Sequence, residues 1–163
     1  MQKSSCVAAA ISTLIVIGLS GCASSVPALG LVSAKQSTIA LETSISEYVP
    51  HDSVIATHVT TKSAVLYPCL GHPNEFYWPG SLRVEVKSGV DEDAVLGAIA
   101  DHWSKEKGWI VTWRSPQGHA ETVELRSDTG ELFTVKFEGG SELQIAAVSA
   151  CFPNAGLSGK KSY

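Results

Sequence analysis

Five stretches alternate apolar and polar residues with a period of two, and they constrain the fold more than anything else in the chain. Ser81–Lys87 places Leu82, Val84 and Val86 on one side and Arg83, Glu85 and Lys87 on the other. Trp109–Arg114, Glu121–Arg126, Leu132–Phe137 and Leu143–Ser149 repeat the pattern, separated by Pro116-Gln117-Gly118, Ser127-Asp128-Thr129-Gly130 and Gly139-Gly140. Alternation of this kind builds strands with one buried face, and short polar turns between them favour an antiparallel meander. Between the first strand and the other four, Asp91-Glu92-Asp93 opens a helical pattern in which Val95, Leu96, Ile99 and Trp103 share one face. Acids in its first turn, Lys105 and Lys107 at its end and Gly108 as the stop suit the helix dipole and the C-terminal cap. A second, shorter helix is expected over Lys35–Glu47, carrying Ile39, Leu41 and Ile45 and stopped by Pro50. Val54–Thr61 and Ala64–Tyr67 read as further strand. The predicted fold is α+β: an antiparallel meander sheet with one or two helices packed on one face.

In 163 residues, of which 44% are hydrophobic and 17% charged, there is room for one such domain, placed over 35–153. The net charge of -4 leaves no basic surplus to neutralise phosphates, which argues against a nucleic-acid partner.

The N-terminal segment does not share these patterns. Lys3 precedes an apolar run from Cys6 to Leu19 that is too short to span a bilayer but suits the core of a secretory signal. It ends in Leu19-Ser20-Gly21-Cys22. This resembles the lipobox of bacterial lipoproteins at each of its four positions. The resemblance implies removal of residues 1–21 as a signal peptide and a diacylglycerol on Cys22, with no other cofactor. It also implies a membrane partner held through the lipid, and residence at the cell membrane on its extracytoplasmic face. Removing 1–21 takes away Lys3 and no acid, so the mature chain keeps 11 basic and 16 acidic residues, and the lipid rather than a polybasic patch must hold it. Residues 22–34 read as a lipid-bearing tether, and 154–163 as a loose C-terminal tail.

Four cysteines occur, of which Cys6 leaves with the signal and Cys22 carries lipid. In an oxidising compartment the remaining two, Cys69 and Cys151, are expected to pair as a disulfide, the alternative being two free buried thiols.

Chemistry is sparse. None of His51, His58, His72, His102 and His119 lies in a zinc-protease pattern. Cys69-Leu70-Gly71-His72 has metal-ligand spacing, but one such pair falls short of a structural site and the disulfide competes for its sulfur, so no metal is expected. No G-x-S-x-G elbow, calcium loop or phosphate-binding glycine loop is present. The candidate binding loop is Gly71–Gly80, where Phe76, Tyr77 and Trp78 follow one another between Pro73 and Pro79. Phe76 and Trp78 are expected to tuck into the rim of the core and Tyr77 to point outward. Trp103, Trp109 and Trp113 are expected in the core, between helix and sheet.

With Gly108-Trp109 after the helix and Ser149-Ala150-Cys151-Phe152 at its end, the stretch 62–153 is similar to small secreted lipoproteins of Gram-positive actinobacteria. That resemblance carries no catalytic residues to transfer. The functional expectation is a non-catalytic binding or envelope-associated module whose partner is an extracytoplasmic protein or a saccharide. The alternatives are a small extracytoplasmic hydrolase and a structural surface protein.

Overall fold

The computed structural model describes residues 30–115, 121–157 and 161–163. The signal segment, Cys22 and most of the expected tether lie outside the described residues, as does the expected turn Pro116-Gln117-Gly118. In chain order the elements are α1 (Leu31–Ser46), a 3-10 turn (His51–Ser53), β1 (Val54–Val59), β2 (Tyr67–Cys69), β3 (His72–Tyr77), β4 (Pro79–Val86) and α2 (Glu92–Lys105). β5 (Trp109–Arg114), β6 (Thr122–Ser127), β7 (Leu132–Glu138), β8 (Glu142–Val148) and β9 (Phe152–Pro153) complete them.

The fold is α+β. Strands β5 to β8 form the predicted meander, and the whole large sheet runs β1-β4-β8-β7-β6-β5, antiparallel throughout. Both helices cover one face: α1 packs on β4 and β8, and α2 on β5, β6 and β7. The inward positions of the alternating strands make the core: Leu82, Val84 and Val86, then Val123 and Leu125, then Phe133 and Val135, then Leu143 and Ile145. Each such side chain taken out of water contributes about 1.5–3 kcal/mol. The outward positions carry charge pairs, with Arg83 3.5 Å from Glu142 and Arg126 3.6 Å from Glu124. Arg114 also donates to Glu124, and that bond holds the Glu124 carboxyl below its usual range.

The N-terminal signals of α2 act as read, whereas the helix ends at Lys105 with Glu106 extended at its cap, so Lys107 and Gly108 lie beyond it. The Asp91 carboxylate accepts from Ala94 N at 3.0 Å, capping one of the free amides of the first turn. Val95, Leu96, Ile99, Ala100 and Trp103 are buried on the sheet side. Trp109 packs edge-on against Trp103, ring centroids 4.4 Å apart.

Four expectations are corrected. Trp113 does not join the core; it is 45% exposed, because the part of α2 above it presents Gly97, Ala100 and Ser104, whose small side chains leave a groove there. Helix α1 begins at Leu31 rather than Lys35, so residues 31–34 belong to the domain and not to the tether. Its buried stripe is Ala34, Thr38, Glu42 and Ile45, steps of four, four and three, which an apolar pattern search passes over because two members are polar. The described part of the tail is tied down: Ala64 and Tyr163 exchange backbone bonds of 3.1 and 3.0 Å, and Val65 bridges Ser162. Finally, the expected aromatic loop is mostly strand. β2, β3 and β9 form a separate three-stranded sheet in the order β2-β3-β9, beside a small second core of Ala34, Leu66, Trp78 and Phe152.

Candidate functional site

The small sheet carries most of the residues singled out for binding. β2 and β3 are joined by a tight turn at Leu70-Gly71, with Gly71 at φ +79° and Leu70 fully exposed. Tyr67 faces Tyr77, and Pro68 faces Phe76, across the antiparallel pair; Glu75 and Phe76 in turn face Pro153 and Phe152. Alternation therefore sorts the side chains into two sets. Phe76 and Phe152 turn to the second core, while Tyr67, Tyr77, Glu75 and Pro153 lie on the opposite, outer face.

On that face the Tyr67 and Tyr77 rings are stacked, centroids 5.6 Å apart and planes 18° from parallel. Tyr67 is half exposed and Tyr77 half buried. An offset stack of this kind leaves ring edges, the outer ring faces and two hydroxyls for a partner. His72 Nδ1, at the start of β3, lies 3.6 Å from Glu75 Oε2. The expected disulfide between Cys69 and Cys151 is formed and ties the end of β2 to the residue before β9. A bridge across 82 residues of chain stabilises the fold by about 4–5 kcal/mol on chain-entropy grounds.

Of the three aromatics expected to form the loop, only Tyr77 contributes to this surface. Phe76 is half buried, as expected, and Trp78 is completely buried, deeper than the rim position anticipated for it. Trp78 is the residue between β3 and β4, where the chain leaves the small sheet for the large one. Its amide donates to Ser149 Oγ at 2.9 Å and its carbonyl accepts from Ser149 N at 3.0 Å, while the Lys35 ammonium lies 5.3 Å from its ring centre. These contacts make Trp78 the joint between the sheets. Tyr67 was missed because a cross-strand partner ten residues away leaves no local mark in the sequence.

Among the described residues, concave regions also lie elsewhere. A cleft of about 520 Å³ between the end of α1 and the start of α2 is lined by Tyr48, Pro50, Asp52, Val90, Asp91 and Ala94. Asp91 is already engaged in capping α2. The Tyr48 ring lies tilted against His102, centroids 5.2 Å apart, and its hydroxyl is pushed above the usual range, first by desolvation and then by Glu106 and Glu47. The groove over Trp113, about 360 Å³, is shallower and bordered by Asp101 and Ser104. Neither region brings a histidine among its lining residues.

The most perturbed acid is Glu42, which pattern reading did not single out. It is completely buried on α1, neither carboxyl oxygen has a hydrogen-bond partner, and burial pushes its pKa up to about 7. It packs against Gly80 and lines neither concave region.

No protein-family model, curated protein or solved structure matches this chain.

Proposed function

We propose that the protein is a lipid-anchored, extracytoplasmic binding module that holds a saccharide of the cell envelope on the outer face of its small sheet. The observation that carries this reading is the stacked Tyr67–Tyr77 pair, a half-exposed aromatic cluster on a strand pair braced by the Cys69–Cys151 bridge. Sugar rings present a face of C–H groups that packs on aromatic rings, and their hydroxyls take hydrogen bonds from groups at the edge, here the tyrosine hydroxyls and the His72–Glu75 pair. A rigid platform loses little conformational freedom on binding, which favours affinity from a small contact.

The anchoring half of the proposal rests on Leu19-Ser20-Gly21-Cys22. Because α1 begins at Leu31, only residues 23–30 separate a lipid on Cys22 from the folded domain. At roughly 3.5 Å per extended residue they reach less than about 30 Å, so the domain stays close to the membrane surface.

The test is retention of the purified protein on insoluble cell-wall polysaccharide. Wild type should be retained and released by soluble fragments of the same polymer. The double variant Tyr67→Ala, Tyr77→Ala should fold and fail to be retained. Equal retention of the two proteins, or retention of neither, overturns the saccharide reading.

A further inference from the structure

The outer face of the small sheet carries a second cluster, independent of the stacked tyrosines. The Sγ atoms of Cys69 and Cys151 and a carboxylate oxygen of Glu75 all lie within 4.8 Å of one another. Three separate stretches supply them: the end of β2, the middle of β3 and the residue before β9. The pairing of Glu75 with Pro153 sets the carboxylate beside the sulfurs. While the sulfurs are joined they are neutral and poor ligands. Cys151 is exposed, however, so the bond is open to attack from solvent.

We propose that reduction turns this bridge into a zinc site whose ligands are the thiolates of Cys69 and Cys151 and the carboxylate of Glu75. The chemistry balances in two steps. A dithiol reductant gives two electrons and two protons, the S–S bond breaks to two thiols, and the reductant leaves as its own disulfide. Zn²⁺ then displaces the two thiol protons to solvent and takes two sulfurs and one oxygen, a mixed donor set that suits this borderline ion. The Glu75 carboxylate supplies the one oxygen of that set. Water would supply the fourth ligand of a tetrahedral ion.

The experiment uses the mature chain, reduced with a dithiol, freed of reductant without air, and titrated with Zn²⁺ or with Co²⁺ as a coloured substitute. Reduced wild type should take up one ion per chain, give the intense visible absorption of sulfur-ligated tetrahedral cobalt, and show slowed maleimide labelling of both thiols when zinc is present. The oxidised protein should take up none. Glu75→Ala should weaken zinc binding about tenfold or more while leaving the melting temperature of the oxidised protein unchanged. Circular dichroism on the same samples reports folding; if reduction loosens the domain, zinc should restore it in wild type at a concentration that leaves Glu75→Ala loosened. The proposal is overturned if reduced wild type takes up no zinc. It is equally overturned if Glu75→Ala binds zinc as tightly as wild type, because the sulfurs alone would then explain the uptake.

Discussion

The carboxyl of Glu42 fills the space that a side chain at position 80 would need: a Cβ placed on Gly80 would lie 2.4 Å from Glu42 Oε1 and 2.9 Å from the Trp78 ring. Helix α1 reaches the large sheet through this contact. The glycine lets the helix carboxyl sit against the strand, and the tryptophan closes the space from the junction between the sheets. Gly80→Ala should therefore destabilise the domain by about 1–3 kcal/mol, read as a lowered midpoint in urea unfolding. An unchanged midpoint would show that Glu42 moves aside freely and that α1 is not tightly seated here.

The buried carboxyl also gives stability a dependence on pH. Glu42 has a folded-state pKa of about 7 against 4.5 for an unburied glutamate, so the folded form holds its proton where the unfolded chain has released it. Its contribution is fully present below about pH 4.5 and is lost as the pH rises to about 7, beyond which it changes no further. The shift corresponds to about 3 kcal/mol across that window. No charged partner contributes to the shift; burial is its cause. Chemical unfolding at steps between pH 4.5 and 8 should show stability falling with pH, and Glu42→Gln should flatten the curve. A curve with the same slope in wild type and Glu42→Gln would remove Glu42 as its source.

The tryptophans should separate by position. Trp103 is buried on α2 and in contact with Trp109, so Trp103→Ala should cost about 3–5 kcal/mol through lost burial and a cavity. Trp113 is 45% exposed over small side chains, so Trp113→Ala should cost less than about 1 kcal/mol. Thermal melts of the two variants decide the matter, and equal losses would mean that Trp113 is packed in solution.

Anchoring is tested at Cys22. Cys22→Ser should leave an unlipidated precursor that retains residues 1–21, visible by mass spectrometry of membrane fractions. A mature N-terminus at any residue other than 22 would refute the lipoprotein reading.

Much of the domain was determined by the sequence itself. The alternation through Leu82-Val84-Val86, Val123-Leu125, Phe133-Val135 and Leu143-Ile145 decides which face of each strand meets the helices, because a period of two allows no other sorting. Asp91 and the acids after it mark the start of α2 by local hydrogen bonding and charge, and two cysteines in the domain allow one pairing. Tertiary structure decided the rest. The position of β4 beside β8 and the separate small sheet depend on partners distant in the chain, which leave no periodic mark. The same holds for the Tyr67–Tyr77 stack and for the approach of Glu75 to the disulfide. Trp113 shows the limit most plainly: its place in the alternation predicts burial, yet whether it is covered depends on the size of the side chains α2 sets above it. Glu42 shows the converse, since a carboxylate on a helix reads as solvent-facing until a glycine across the interface leaves room for it inside. Periodicity reports which way a side chain points, and only packing decides what stands there to meet it.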